Sequence, residues 1–343
     1  MVEPLIIGLK LSRFNLELSK AEALFCFKAY FETEPLLCVE NLCLFKVKGS
    51  VSQILSCLRR FAFTKEAYVF SKNFSDLKEL AKLFDLRNGK DSSFKVSLPL
   101  SLEEKLKTQN IDDLVKKVLA TGLSGKVSLS APDLVLCSFS DFFGLLVWTN
   151  KDPHSHRRVH LKPAPHPSGI DPRLARAMIN LAGAKAEVLD PFCGAGGILE
   201  EIKLLGLKYV GVDISWRMIN LARTNLSSRE NLHCMDAFSW NTVVECLVTD
   251  LPYGKNTKLD GELKSLINRF FEHFKDFTGK VVVCCPDKYD LEVPASKNGW
   301  VLVFNADVYV HGSLTRRIHV FEKSSHTIHK ETDSLHCVGI QKR

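Results

Sequence analysis

The chain has 343 residues, of which 45% are hydrophobic and 25% charged, enough for two or three domains with ordinary cores. It contains no run of 18 apolar residues, and its first ten residues, MVEPLIIGLK, lack the basic start of a signal peptide. We therefore expect neither a membrane-spanning helix nor a secretory leader. The net charge of +7 is compatible with an anionic partner such as RNA. The 11 cysteines include no C-x-x-C pair, so we predict a cytoplasmic protein with free thiols.

Strand and helix patterns alternate through the first 90 residues. Extended segments are predicted at residues 4–10, 36–49 and 67–71, and helices at residues 19–31 and 51–62. Ser19 is the candidate N-cap of the first helix. This β-α-β-α-β order predicts a small α/β sandwich, which we assign as an N-terminal ferredoxin-like domain over residues 1–90.

A second unit is predicted over residues 91–150. It has a strand at 92–100, a helix at 111–122 ending at a glycine, and strands within 126–139 and 142–151. Residues 151–170 then change composition sharply, because residues 151–169 hold four prolines, four histidines and four lysines or arginines. We expect a solvated linker there, since proline disfavours helix in the residue before it.

The four histidines of this segment match no zinc-binding spacing, so we predict no metal site; they are His154, His156, His160 and His166. Two arginine pairs, Arg59-Arg60 and Arg316-Arg317, could contact phosphates or be ordinary surface pairs.

A third predicted unit, which contains the motifs described below, spans residues 171–323. A helix is predicted at 171–183, and from residue 185 strands and helices alternate, which indicates an open parallel sheet covered by helices. Residues 324–343 lack periodicity and are expected to form a flexible tail.

The first motif is DPFCGAGG at residues 190–197, between a predicted strand and a helix. Gly194, Gly196 and Gly197 permit a tight turn and close approach of a ligand to the backbone. Leu199 occupies the place of the third small residue of an NAD fingerprint, and no G-K-[ST] follows. The glycines alone would fit a simple tight turn.

Two further aspartates follow predicted strands. Asp213, in YVGVDIS, can accept hydrogen bonds from both hydroxyls of a ribose. It can equally cap the next helix, and both roles can coexist. Asp236 closes the next strand and would border an adenine ring, although loop aspartates are common.

The most specific motif is TDLPYG at residues 249–254, at the end of an apolar strand. Asp250 and the carbonyl of Leu251 offer two acceptors, and Tyr253 offers an aromatic plane. An aryl amine is a poor nucleophile because its lone pair is delocalised into the ring. Two acceptors on its N–H groups can turn that lone pair toward a methyl donor, while Tyr253 stacks on the base. A β-turn alone would explain the proline and glycine but neither the aspartate nor the tyrosine.

These motifs, in this order, resemble the amino-methyltransferases of the class I, Rossmann-like group. Flanking segments are similar to the archaeal and eukaryotic tRNA guanine-10 N2-methyltransferases; these segments are HPSGIDPRLARAMINLAGA, SWRMINLARTNL and YVHGSLTRRIHVFEK. FKVSLPL and GKVSLSAPDLVL resemble parts of a THUMP domain, an RNA-binding module of that family. The resemblance covers most of residues 1–323 and is diffuse in the first 90.

The resemblance implies an S-adenosyl-L-methionine-dependent enzyme that methylates the exocyclic N2 amine of a tRNA guanine, expected to be guanine 10. It implies cofactor binding by Asp190, Cys193, Gly194, Gly196, Asp213 and Asp236. It implies target recognition by Asp250, Leu251, Pro252 and Tyr253. The family usually has two prolines where this chain has Leu251 and Pro252, so a more rigid loop is lost while the backbone carbonyl is kept. An aspartate at the first position of the motif favours guanine-10 enzymes over related THUMP enzymes.

The predicted fold class is therefore α/β: a Rossmann-like methyltransferase domain preceded by an α+β ferredoxin-like and THUMP module. The expected partners are tRNA and a small zinc-binding activator subunit, which is common in this family. Another tRNA or rRNA guanine, or a DNA adenine, would suit the same chemistry. A non-enzymatic RNA-binding protein with a relic fold is the remaining alternative.

Overall fold

A computed structural model of the protein describes residues 3–97, 111–152, 154–252, 260–312 and 314–324. In the N-terminal half, the strands are β1 (Leu5–Leu11), β2 (Glu32–Val39), β3 (Leu42–Lys48), β4 (Thr64–Ser71), β5 (Gly89–Val96), β6 (Ser124–Val127), β7 (Leu134–Phe139) and β8 (Phe142–Thr149). The helices there are α1 (Leu16–Tyr30), α2 (Val51–Leu58), α3 (Leu77–Leu83) and α4 (Ile111–Thr121).

All eight N-terminal strands form one sheet, in the order β2-β3-β1-β4-β8-β7-β5-β6. The domain boundary predicted at residue 90 falls inside β5, so that boundary is wrong as a structural division. β4 pairs with β8 in antiparallel register, which joins the two predicted units edge to edge. The THUMP assignment of residues 91–150 stays a prediction.

Helix α1 begins one turn earlier than the sequence pattern predicts. Asn15 is its N-cap and accepts a hydrogen bond from the Leu18 backbone N–H at 3.0 Å. Ser19, the predicted cap, lies inside the helix, where its buried hydroxyl donates to the carbonyls of Ser12 and Asn15. The prediction placed the N-cap at Ser19 because an apolar run follows it. In the structure Asn15, four residues earlier, takes that role.

The extended segment predicted over residues 36–49 is two strands. β2 and β3 form a hairpin whose tight turn holds Glu40 at a φ of 48°. Cys38 and Cys43 face each other across the hairpin and form a disulfide. The expectation that all thiols are free is wrong for this pair.

The segment predicted as a solvated linker is folded against the C-terminal half. It contains short 3-10 turns at His154–Arg157 and Val159–Leu161. The Arg157 guanidinium donates to the Glu201 carboxylate at 2.6 Å and to Asp152 at 2.7 Å. Lys162 pairs with Glu200 at 2.6 Å. These inward-facing charges show that the segment is a structural element, although its composition is polar.

The C-terminal half holds the second sheet. Its strands are β9 (Glu187–Asp190), β10 (Lys208–Asp213), β11 (Leu232–Cys234), β12 (Cys246–Asp250), β13 (Lys280–Pro286), β14 (Trp300–His311) and β15 (Leu314–Lys323). Its helices are α5 (Pro172–Ala182), α6 (Gly197–Leu204), α7 (Trp216–Leu226), α8 (Asp260–Phe274) and α9 (Glu292–Ser296). The predicted helix at 171–183 is confirmed: Asp171 caps α5, and Gly183 ends it with a φ of 66°.

The strand order of the second sheet is β11-β10-β9-β12-β13-β15-β14. β9 to β13 run parallel, whereas β15 is antiparallel to both β13 and β14. After β9 the chain adds β10 and then β11 on one side of β9, and it then crosses to the other side of β9 to form β12. A crevice therefore forms beyond the carboxyl end of β9, where ligands bind in open α/β folds. In the described ranges, no helix has the length and apolarity needed to cross a membrane.

The two halves share a buried interface formed by α1 and α5. The Asn180 side chain donates to the Glu22 carboxylate at 2.7 Å, and Glu22 also accepts the backbone N–H groups of Ala62 and Phe63. Both Glu22 and Asn180 are fully buried. Arg60 donates to the carbonyl of Ala184 at 3.1 Å, so this predicted phosphate contact is an internal one. One hydrophobic core cluster runs through residues of both halves.

Replacing Glu201 by glutamine should destabilise the fold. Glu201 is fully buried and accepts hydrogen bonds from both Arg157 and Arg176, at 2.6 and 2.7 Å. Without its charge, the buried Arg176 loses its nearest counter-ion and Arg157 keeps only Asp152, which costs about 3–5 kcal/mol. Denaturant titration measures the loss. The exposed control Glu230→Gln should change the unfolding free energy by less than about 0.5 kcal/mol, and equal midpoints for the two variants would refute the assignment.

Candidate active site

The predicted site aspartates meet at one edge of the second sheet. Asp190, Asp213 and Asp250 end β9, β10 and β12. Gly211 is opposite Asp190 in the parallel register, so Asp213 extends two residues beyond Asp190. Leu247 is opposite Leu189, so Asp250 does the same on the other side. The two outer carboxylates therefore flank the crevice above the end of β9.

The glycine-rich loop fills the base of this crevice. Gly194 has a φ of 50°, and a Cβ placed on it would meet no atom within 4 Å, so it faces open space. Gly196 has a φ of 82°, and a Cβ there would approach Ala222 of α7 to 3.3 Å. Gly194 thus keeps the backbone accessible to a ligand, whereas Gly196 permits close packing of the loop on α7.

Asp190 and Cys193 shape the loop from inside. The Asp190 side chain is buried, and its Oδ1 accepts hydrogen bonds from Thr249 at 2.7 Å and from the Phe192 backbone N–H at 3.2 Å. Burial raises the pKa of Asp190 to about 7. The backbone N–H of Cys193 donates to the carbonyl of Val212, and its thiol is buried. These internal contacts indicate that the two residues position the loop, and direct contact with a cofactor stays a prediction.

Asp213 is oriented by two backbone donors. Its Oδ2 accepts the N–H of Gly194 at 3.0 Å, and its Oδ1 accepts the N–H of Ser215 at 2.8 Å. Burial raises the pKa of Asp213, while these donors oppose that rise. A carboxylate has about four lone-pair sites, so Asp213 retains capacity for two ribose hydroxyls. The predicted alternative, capping of the next helix, is wrong, because Ser215 is the N-cap of α7 and its hydroxyl accepts the Met218 N–H.

Asp236 lies two residues after the end of β11. Its Oδ1 accepts the N–H of Phe238, and its Oδ2 lies 3.8 Å from Arg269. Ile214, directly after Asp213, is 76% exposed at the same edge. An exposed large apolar side chain beside an acceptor is suited to the face of an adenine ring. Sequence reasoning missed Ile214, although a bulky apolar residue directly after a strand-end acid was a visible signal.

Asp250 is the acidic group on the other side of the crevice. Its side chain is 15% exposed, and its Oδ2 lies 3.4 Å from the guanidinium of Arg316, on β15. Burial raises the pKa of Asp250 to about 6, and the nearby Arg316 charge opposes that rise. Among the described residues, Asp250 Oδ1 is buried without a hydrogen-bond partner. A buried acceptor oxygen of this kind is suited to an amine donor.

The rest of the TDLPYG motif is only partly described. The N–H of Leu251 donates to the carbonyl of Cys284 at 2.9 Å, and its side chain is buried. Pro252 is exposed. Tyr253 lies outside the described residues, so its stacking role stays a prediction. Of the second arginine pair, Arg317 pairs with Asp307, and Arg316 is a neighbour of Asp250 rather than a surface phosphate contact.

Comparison with known proteins fits this arrangement. A family model described as UPF0020, an RMKL-like methyltransferase domain, matches residues 159–317. The tRNA (guanine(10)-N2)-dimethyltransferase of Methanocaldococcus jannaschii is 32% identical over 280 residues, which span 74% of this chain and 77% of that protein. The enzyme of the same name from Pyrococcus abyssi is 30% identical over 230 residues, which span 62% of this chain and 69% of that protein.

This chain belongs to the tRNA (guanine(10)-N2)-dimethyltransferase family. The resemblance noted in the sequence is thereby confirmed, as are the α/β fold class with its Rossmann-like methyltransferase domain and the prediction of an S-adenosylmethionine-dependent methyltransferase. A U6 snRNA (guanine-N(2))-methyltransferase THUMPD2 from Bos taurus is 27% identical over 220 residues, spanning 60% of this methyltransferase and 42% of that protein.

The residues at the crevice fit the cofactor. Gly194 leaves open space beside the loop, Asp213 offers acceptors for hydroxyl groups, and Ile214 offers an apolar surface. The hydroxyl groups and the base of a nucleoside would each find a partner of suitable chemistry there, beside an open stretch of the glycine-rich loop. These groups along β9 and β10 are suited to S-adenosylmethionine and are separate from Asp250, and their direct contact with the cofactor stays a prediction.

Replacing Asp213 by alanine should weaken cofactor binding by about 10- to 150-fold, because a hydrogen bond to a charged group contributes about 1.5–3 kcal/mol. Isothermal titration calorimetry with S-adenosylhomocysteine measures the change. Asp276→Ala, which removes an exposed carboxylate after α8, is the control. An unchanged dissociation constant for the Asp213 variant would exclude it from cofactor binding.

Proposed function

We propose that this enzyme transfers a methyl group from S-adenosylmethionine to the exocyclic N2 amine of a guanine in tRNA, with guanine 10 as the target. The observation that carries the proposal is Asp250 Oδ1, which is buried at the crevice and has no hydrogen-bond partner among the residues that the structure describes. The names of the archaeal relatives support the nucleobase and the RNA class. Asp250, Leu251, Pro252 and Tyr253 are the proposed target-binding residues.

The proposed chemistry is set by the poor nucleophilicity of an aryl amine. S-adenosylmethionine supplies an electrophilic methyl group on its sulfonium. Asp250 accepts one N–H of the amine, and the Leu251 carbonyl is proposed to accept the other. The amine then becomes pyramidal, and its lone pair points toward the methyl group. The carboxylate would stabilise the positive charge that develops on the nitrogen as the N–CH3 bond forms and the S–CH3 bond breaks, and it would accept the proton that the nitrogen then loses, so that the products are the neutral methylamine and S-adenosylhomocysteine. Holding the two reactants in line supplies much of the rate enhancement.

Arg316 keeps Asp250 in the form that this role requires. A neutral carboxyl group would lose most of its strength as an acceptor, and burial alone favours the neutral form. The Arg316 charge at 3.4 Å opposes that tendency. With a pKa of about 6, Asp250 is mainly ionised at pH 7. Arg316 is thus a positioning and charge-setting residue for Asp250.

The pH dependence of kcat/KM should report this arrangement. The rate should fall below pH 6, because Asp250 becomes protonated as the pH drops through its pKa. In Arg316→Gln the acid limb should move to higher pH, because the charge that lowers the pKa of Asp250 is gone. An unshifted limb would assign the titration to a group other than Asp250. Thermal melting of the variant checks that it is folded.

Mass spectrometry of tRNA nucleosides tests the function as a whole. The purified chain is incubated with labelled S-adenosylmethionine and unmodified tRNA, and separate reactions contain ribosomal RNA, U6 snRNA or DNA. N2-methylguanosine or N2,N2-dimethylguanosine in tRNA is the expected product, and the mass gives the number of methyl groups. Transfer only to another nucleic acid would overturn the proposal. Adding a zinc-binding activator subunit shows whether the chain acts alone.

A further inference from the structure

A cleft of about 890 Å³ separates the two halves of the molecule on the side of the active site. Four parts of the chain line it: the end of the N-terminal sheet, the segment at 154–169, the first turn of α5, and the tips of β14 and β15. Its principal lining residues are Phe14, Lys65, Arg158, Arg173, Tyr309 and Arg316. None of them belongs to the cofactor set described above.

The cleft adjoins the catalytic crevice at Arg316. Arg316 lines it and also lies 3.4 Å from the carboxylate of Asp250. A ligand that fills the cleft would therefore approach Asp250 from the side of β15, opposite the cofactor residues of β10. A target base at Asp250 would have its neighbouring nucleotides in this cleft.

The charges of the cleft favour an anion. Three acidic residues line it, but Glu66 pairs with Lys10 and Asp152 pairs with Arg157, while Asp171 caps α5. By contrast, three basic residues of the lining have no carboxylate partner within 4 Å in the described part of the chain; they are Lys65, Arg158 and Arg173. Glu66 and Asp152 are neutralised by basic neighbours, so Lys65, Arg158 and Arg173 outweigh the remaining carboxylate of Asp171 and give the cleft a net positive charge.

Aromatic side chains lie between these charges. Phe14 is 65% exposed, and its ring stacks parallel to that of Phe63, with centroids 6.2 Å apart and planes 5° apart. The Arg173 guanidinium lies 4.7 Å from the centre of the Phe63 ring. Tyr309, on the opposite wall, is 64% exposed. An exposed ring held in place by its neighbours is a stacking platform for an unpaired base.

We propose that this cleft binds unpaired nucleotides of the RNA next to the target base, with phosphates at Lys65 and Arg158 and a base stacked on Phe14. The proposal rests on the proposed RNA methylation and specifies where the substrate strand runs. A target base must leave its stack to reach Asp250, so the adjoining backbone must be held in an opened form. Positive charge with an exposed aromatic ring is the combination that binds single-stranded nucleic acid.

The test measures binding of a tRNA transcript to the full chain by filter binding at several salt concentrations. Lys65→Ala and Arg158→Ala should each weaken binding about three- to tenfold. Each should also reduce the slope of log K against log salt by about 1, because one phosphate contact is lost. Phe14→Ala should weaken binding about tenfold with the slope unchanged, because stacking releases no counterion.

The control is Lys297→Ala, an exposed lysine just before β14 at the end of that strand away from the cleft, which should leave affinity and slope unchanged. Calorimetry with S-adenosylhomocysteine should give the wild-type dissociation constant for the variants, which shows that they are folded. If wild type methylates tRNA but the cleft variants bind it like the control, the cleft proposal fails and the proposed function stands. If wild type methylates no RNA, the proposed function fails and the cleft proposal fails with it.

Discussion

Replacing Asp250 by asparagine is expected to lower kcat for methyl transfer by about 10²- to 10³-fold while cofactor affinity is unchanged. The amide keeps the size of the side chain but loses the negative charge that stabilises the amine as it becomes positive. Losses of this size follow removal of one electrostatic contact to a developing charge. Single-turnover kinetics with saturating cofactor measure the chemical step directly.

Asp287→Asn provides the matched control for that experiment. Asp287 follows the end of β13, the strand next to β12, so the control removes a carboxylate at the same edge of the sheet. Its kcat should stay within about twofold of wild type. Normal turnover by the Asp250 variant would exclude Asp250 as the acceptor, and loss of cofactor binding would place it in the cofactor site instead.

A tRNA transcript with inosine in place of the target guanine should accept no methyl group at that position. Inosine keeps the ring and O6 of guanine but lacks the 2-amino group, so the proposed acceptor atom is absent. The contacts of the cleft with neighbouring nucleotides remain, and the inosine transcript should bind with nearly wild-type affinity. Incorporation of labelled methyl, followed by nuclease mapping, measures the result.

The useful comparison is with a transcript in which a different guanine of the same stem is replaced. That transcript should be methylated at the wild-type rate, because its target amine is intact. Methylation of the inosine transcript at the target site would show that a ring nitrogen or a ribose hydroxyl is the acceptor. It would then contradict the role assigned to the acceptor pair of Asp250 and Leu251.

The parallel sheet and its acidic edge could be predicted from sequence because their signals are local. Asp190, Asp213 and Asp250 each end a short apolar strand, and parallel strands place their carboxyl ends at one edge. Gly194 and Gly196 adopt positive φ values, as the glycine-rich turn requires. The crevice therefore followed from strand order and residue type alone.

What the sequence did not reveal depends on contacts between distant residues. Arg316 approaches Asp250 only because β15 inserts antiparallel between β13 and β14, and no local pattern specifies that insertion. The charges of residues 151–169 suggested solvent, yet Arg157 and Lys162 find buried or half-buried partners on α6. Composition shows that a segment is polar but does not show which residues its charges pair with, so this segment was wrongly predicted to be a solvated linker.

The buried contact between α1 and α5 has a consequence for how RNA must reach the active site. Glu22, Asn180 and Arg60 are buried and hydrogen-bonded to one another there, and separating the halves would break these bonds and expose the hydrophobic core that the halves share. The distance from the N-terminal sheet to Asp250 is therefore fixed by the protein core rather than by a hinge. Binding must therefore deform the RNA rather than the protein. The RNAs selected are those whose structure opens at the right distance from their contact with the N-terminal sheet. Substrate choice is then a matter of geometry before any base is recognised.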